Sequence, residues 1–157
     1  MNQKRAAMIA AFGVLLAIVA PGHARAESCS KATAEQAVLA ASEIVERLGV
    51  EAAKQVITKE DARFRCGEFS VKVINHRGTW VIDPEDGSNV GHKVAALQDG
   101  AAINFMNSLI QAAIRNRGSM GSYFATDTEH GKEISKALYH IDVPKRKVVV
   151  YGAFILG

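Results

Sequence analysis

From Ala34 to Leu48 apolar residues return at steps of three and four: Ala34, Ala37, Val38, Ala41, Ile44, Val45 and Leu48. Such steps lay one apolar stripe along an amphipathic helix. Thr33, with Gln36 three residues on, reads as a capping box that opens this helix, and Gly49 closes it. A shorter helix over Glu51–Thr58 turns Ala52, Ala53, Val56 and Ile57 inward. The period then becomes two. Phe69, Val71 and Val73 alternate with Ser70 and Lys72, which predicts a half-buried strand. Asn75–Gly78 reads as a turn and Thr79–Asp83 as the returning strand, stopped by Pro84.

After a polar loop, Val94–Leu97 reads as a helical turn. Asp99 is placed to cap a helix that carries Ala102, Phe105, Met106, Leu109, Ala112 and Ala113 and ends near Gly118. Gly118–Ile141 then reads as a long hairpin. Ser119–Thr126 runs in, Asp127–Gly131 turns, and Lys132–Ile141 runs out. Val148–Ile155 is apolar on both faces, which predicts a central or covered strand. This order predicts an α+β domain, a long N-terminal helix packed on a five-stranded, mostly antiparallel sheet.

Ahead of all this lies another apolar run, Ala6–Ala20, behind Lys4 and Arg5 and before Ala24-Arg25-Ala26. Those are the three parts of a secretory signal peptide, and the run is short for a membrane span, which needs about 20 residues. Cleavage after Ala26 is expected, leaving residues 27–157 as one domain in the periplasm with no later span. The segment takes three of the 19 basic residues and no acids, so the remainder balances the 16 acidic ones. A neutral chain has no electrostatic footprint for nucleic acid. In an oxidising compartment the two cysteines, Cys29 and Cys66, predict a disulfide, worth about 3 kcal/mol. The other reading is two buried thiols that never meet.

The spacings point away from cofactor and enzyme chemistry. There is no CxxC and no paired-histidine spacing for zinc or haem. The serines lack a nucleophile-elbow pattern, and Asp83-Pro84-Glu85-Asp86 lacks EF-hand spacing. His76 lies in a turn and reads as solvated, and His130 sits at a hairpin tip. His140 is two and four residues from Leu138 and Lys136, so alternation places the three on one face. Tyr123 and Lys136, on neighbouring strands, are a phenol and an ammonium. They suit a site for a small carboxylate, and they equally suit a solvent-facing hairpin.

Taken in order, several segments resemble the single Cache domain family, in its periplasmic form called single Cache domain 2. Gly49-Val50-Glu51-Ala52-Ala53 resembles the family's break after its long helix. Asn75-His76-Arg77-Gly78-Thr79 resembles its strand-turn-strand segment, and Ile82-Asp83-Pro84 stands where it commonly has Ala-His-Pro. Val90-Gly91-His92 through Leu97-Gln98-Asp99 is similar to the segment before its last helix. Gly118 to Tyr123, Gly131-Lys132 and Lys136-Ala137-Leu138-Tyr139 are similar to its Gly-rich stretch, strand tyrosine, Thr-Gly-Lys turn and Lys-x-Ser-Tyr.

The resemblance implies a PAS-like Cache sheet and a non-enzymatic, extracytoplasmic sensing module. It further implies a free-standing secreted form that binds a short organic acid or amino-acid-like metabolite and signals through a membrane sensor or another exported protein. By resemblance Tyr123 and Lys136 face the ligand, and Asp83, Trp80, His92 and Tyr139 are the further candidates around it. Trp80 equally suits a plain core position. Asp83 departs from the family's His and sets a negative charge where a carboxylate would come, unless it is protonated, points away or pairs with Lys136. Met120 and Ala125 stand where the family often has tryptophans. The alternative is an interaction module whose pocket has decayed, docking another protein without a small ligand.

Overall fold

The computed structural model describes residues 29–98, 100–129 and 132–155. The signal segment, the Asp99 cap and the hairpin tip at His130 and Gly131 lie outside the described residues. Helix α1 (Lys31–Leu48) opens the domain. Its cap is Ser30 rather than Thr33: the Ser30 hydroxyl accepts the Thr33 N–H at 3.1 Å, so the helix begins one turn earlier than the capping-box reading. Gly49, at φ 82, ends it and leads into α2 (Val50–Lys59). The Arg146 guanidinium donates to the Glu46 carbonyl at 2.9 and 3.2 Å and so satisfies the helix end from the far side of the fold.

A short α3 (Asp61–Phe64) and β1 (Arg65–Cys66) precede the predicted hairpin of β2 (Phe69–Asn75) and β3 (Trp80–Ile82). Two short 3₁₀ turns and α4 (Gly100–Arg115) follow. Next come β4 (Gly121–Glu129), β5 (Lys132–Val143) and β6 (Val148–Ile155). The sheet has the five expected strands and adds β1 as a sixth, in the order β1-β2-β6-β5-β4 with β3 paired to β2. Every strand pairing is antiparallel. The β4–β5 ladder continues through Asp127↔Ile134 to Glu129↔Lys132, so residues 127–129 belong to the strand, not to the turn assigned from sequence.

Strand β6 lies between β2 and β5, where its two apolar faces require it. One face meets α1: Val71, Val73, Ile141, Val143, Val148 and Val150 pack with Ala34, Val38, Ala41 and Val45. The other meets α4: Ile74, Leu138, Val149 and Tyr151 pack with Met106, Leu109, Ile110 and Ala113. Strand β3 serves both layers. Val73 pairs with Ile82 but Ile74 pairs with Trp80, so β3 carries one extra residue, a bulge. The bulge sends Ile82 to the α1 core and Trp80 to the α4 core, although they are two residues apart.

The predicted disulfide forms between Cys29 and Cys66, with the Cα atoms 5.1 Å apart, and ties the start of α1 to β1. It closes a loop across 37 residues. Replacing both cysteines by serine is expected to lower the unfolding free energy by about 3–4 kcal/mol. Urea denaturation checks this, and a loss below about 1 kcal/mol would show that the bridge does not constrain the unfolded chain.

Candidate functional site

Alternation along three central strands builds a polar floor on the face turned from α1. On β5, Ala137, Tyr139, Ile141 and Val143 enter the α1 core, so Lys136, Leu138, His140 and Asp142 take the other face. On β2 the same rule assigns Ser70, Lys72 and Ile74 to this face, and on β6 Val149, Tyr151 and Ala153. Register then aligns them in rows. Lys72 pairs with Tyr151, Tyr151 with His140, and His140 with Gly121. In the next row Ala153 pairs with Leu138 and Leu138 with Tyr123. Beyond it Lys136 lies between Ile155 and Ala125. Ala153 is small and only half-buried on a central strand, with Leu138 directly beside it and Tyr151, His140 and Lys136 in the rows on either side.

At the β2 side the polar groups satisfy one another. Trp80 donates its indole N–H to the Tyr151 hydroxyl at 2.8 Å. Burial pushes the Tyr151 phenol far up, and the negative charges of Asp83 and Glu85 add to this, so it stays neutral. The Asp83 carboxylate is only 5% exposed. It takes the Lys72 ammonium at 3.3 and 3.4 Å, the Asn89 amide at 3.0 Å, and the backbone N–H groups of Glu85 and Asp86 at 3.1 and 3.2 Å. Lys72 also meets Glu85 at 2.7 Å. Asp83 therefore holds the loop after β3 against β2, which is structural work for an acid standing at the family's histidine position.

At the β5 side the histidines are less expected. His76 is half-buried rather than solvated, with Nε2 2.6 Å from Oδ1 of the buried Asp142. His140 is 1% exposed, and burial pushes its imidazole below the usual histidine range. Its ring lies over Gly121: a Cβ there would collide with the ring and with the Asn116 amide. Glycine at 121 is thus what admits the histidine. Among the described residues, the buried side-chain polar atoms without a hydrogen-bond partner are His140 Nδ1 and Ser70 Oγ. Both belong to this face.

Of the candidates named from sequence, Lys136, Trp80 and Asp83 come to this face. Lys136 is half-buried. Tyr123 holds the register position beside Leu138, and its side chain lies outside the described residues. Tyr139 goes elsewhere: it is an odd number of residues from Lys136, packs in the α1 core, and burial with Glu35 nearby raises its phenol. His92 is exposed and meets the group through its backbone: its carbonyl accepts the Trp80 N–H at 3.1 Å and its N–H donates to the Asn89 carbonyl at 2.9 Å. Sequence reasoning missed Lys72, Tyr151 and Ser70 as members of the face. Their strands were legible, but the rows that join them depend on register. A shallow open cleft lined by Cys29, Cys66, Gly67, Glu68, Phe69 and Phe154 lies by the disulfide. Among the described residues no three of His, Cys, Asp and Glu gather as a metal site, and no helix is long and apolar enough to cross a membrane.

No family model and no curated protein matches the chain. Solved structures do match. A methyl-accepting chemotaxis protein from Vibrio parahaemolyticus superposes with a TM-score of 0.55 at 16% identity, over 76% of this chain and 80% of that one. A periplasmic sensor domain of a chemotaxis protein gives 0.56 at 15% identity, over 80% and 90%. A Cache chemosensory domain described for carboxylic acid recognition gives 0.52 at 15% identity, over 78% and 86%. These neighbours are sensor domains, and the chain has the single Cache domain fold.

The buried His140 makes a pH-dependent contribution to stability. Its folded-state value lies below the ordinary 6.5, so below that pH the unfolded chain binds a proton that the folded chain does not. Stability from this group is present above pH 6.5 and falls as the pH drops through the depressed value, by at most about 1.4 kcal/mol per pH unit. Urea denaturation from pH 7.5 to pH 4.5 should show a flatter decline in His140→Leu than in the parent protein. Equal slopes would mean that His140 titrates alike in both states.

Proposed function

We propose that this protein is an exported, non-enzymatic sensing domain that binds a short organic acid on the α4 face of its sheet and acts through a partner protein. The observation that carries the reading is the set of polar groups on this face: Lys136, His140 and Tyr151 lie near the small Ala153 and its neighbour Leu138, where a globular domain would ordinarily place apolar side chains alone. The Cache fold of its neighbours supports it, and one of them is described as recognising a carboxylic acid. In this reading Lys136 makes a charge-assisted hydrogen bond to the carboxylate, Tyr123 adds a hydroxyl, and the Trp80–Tyr151 pair supplies a neutral wall. Asp83 does not repel the anion, because its charge is matched by Lys72 and the loop amides.

Export follows in this reading from the signal segment at residues 1–26, and the mass of the protein recovered from the periplasm is expected to correspond to an N-terminus at Glu27. A mass that retains Lys4 and Arg5 would count against cleavage.

Calorimetry of the purified protein against acetate, propionate, butyrate and amino acids is expected to show binding of a short acid. Lys136→Ala should weaken that binding roughly 10- to 100-fold, the cost of one hydrogen bond to a charged partner. Equal affinities in the two proteins would remove Lys136 from the site. A second reading, a protein-docking module with no small ligand, is favoured by Phe124, which is 66% exposed on the edge strand β4. No binding of any acid, together with a stable dimer or complex on sizing, would select it.

A further inference from the structure

A buried polar atom without a partner costs about 1–3 kcal/mol, and native folds keep few of them. His140 Nδ1 and Ser70 Oγ are two such atoms, and both lie on the floor that faces α4. By contrast, the buried Ser42 on α1 has its hydroxyl satisfied by the Leu39 carbonyl at 2.7 Å. The chain also gives up a side chain at Gly121 to make room for the His140 ring. A leucine at 140 would pack against α4 without that concession, so the imidazole has a use that packing does not supply.

Resting on the ligand site proposed above, we propose that the acid it takes carries a hydroxyl group, and that His140 reads that hydroxyl while Lys136 holds the carboxylate. Strand geometry sets the scale. Lys136 and His140 are four residues apart on one face, roughly 13 Å between Cα atoms. Leu138 stands between them on that face, and the lysine stem and the imidazole ring each take up part of the span, so the acid is a few carbons long and lies beside the leucine. Chemistry selects the second group. A hydroxyl can give or accept a hydrogen bond, so it satisfies Nδ1 in either tautomer of the neutral ring, and it satisfies Ser70 equally well. An ammonium in its place only donates, so it satisfies Nδ1 in one tautomer of the ring and not in the other. The site therefore takes hydroxy acids in preference to amino acids and to simple fatty acids.

The test is a set of matched pairs in calorimetry: lactate against propionate, 3-hydroxybutyrate against butyrate, and alanine as the ammonium counterpart of lactate. In the parent protein at least one hydroxy acid is expected to bind about tenfold tighter than its unsubstituted parent, the size of one buried hydrogen bond. His140→Leu should bring that ratio below about threefold, and His140→Asn, whose amide places a polar atom near the Nδ1 position, should retain most of it. Thermal unfolding confirms that each variant is folded, and the asparagine variant keeps the comparison open if the leucine variant is not. A ratio near one in the parent protein, with the simple acids still binding, overturns the hydroxyl assignment and leaves the acid-binding site standing. Such a ratio is also what a bound water on His140 would give. Tighter binding of alanine than of lactate overturns it in favour of an ammonium. An unchanged ratio in His140→Leu removes His140 from the contact. Failure of every acid in both series brings down the ligand site itself and this assignment with it.

Discussion

Strand β6 carries apolar side chains on both faces, and neither face can be left to water. Val148 and Val150 demand cover on one side, Val149 and Tyr151 on the other. Placing β6 between β2 and β5 satisfies its backbone, and placing α1 and α4 on opposite faces satisfies its side chains. Everything else follows from that sandwich. The α1 layer is a closed apolar core, anchored at one end by the Cys29–Cys66 bridge and at the other by Arg146 on the last turn of the helix. The α4 layer has the same backbone support but a different filling, and that difference is where function enters.

On the α4 side polar groups sit under a helix, and each must find a partner or destabilise the fold. The β2 half solves the problem internally: Asp83, Lys72, Asn89, Trp80 and Tyr151 satisfy one another over a few ångströms. The β5 half does so only in part. His76 answers Asp142, but His140 on β5 is left with a buried atom that nothing in the described residues meets, and so is Ser70 on β2. In the proposed reading these unmet atoms are where the ligand makes its hydrogen bonds, and the completed network around Asp83 supports the face beside them.

The two periods in the sequence carried the architecture. Steps of three and four gave α1 its length and face, and the doubly apolar Val148–Ile155 announced its own central place. What alternation says about single residues was also available: Tyr139 and Lys136 differ by three, which puts them on opposite faces, and only the family resemblance grouped them. The bulge in β3 was not available. It depends on how β3 meets β2, and it alone decides that Trp80 and Ile82 face different cores. Nor could the rows across the floor be read, because register couples residues some 70 to 80 positions apart, such as Lys72 and Tyr151. His76 was misread for the same reason, since its partner Asp142 comes from another strand.

Asp83 bears on the ligand's charge. An acid at a position where the resemblance expects histidine suggests a site hostile to carboxylates, and on sequence alone the ways out were protonation, pointing away, or pairing with Lys136. Its contacts show another. Lys72 stands on the strand next to Asp83, and the loop it anchors turns two backbone N–H groups onto the same carboxylate. The Asp83 charge is held at the β2 edge by Lys72, which Glu85 shares, and by the loop amides, while Lys136 lies on β5, with β6 between them. Around Ala153 the phenol of Tyr151 and the imidazole of His140 are held neutral by burial. In the proposed reading the acid's carboxylate lies toward Lys136 and its uncharged part toward these neutral groups.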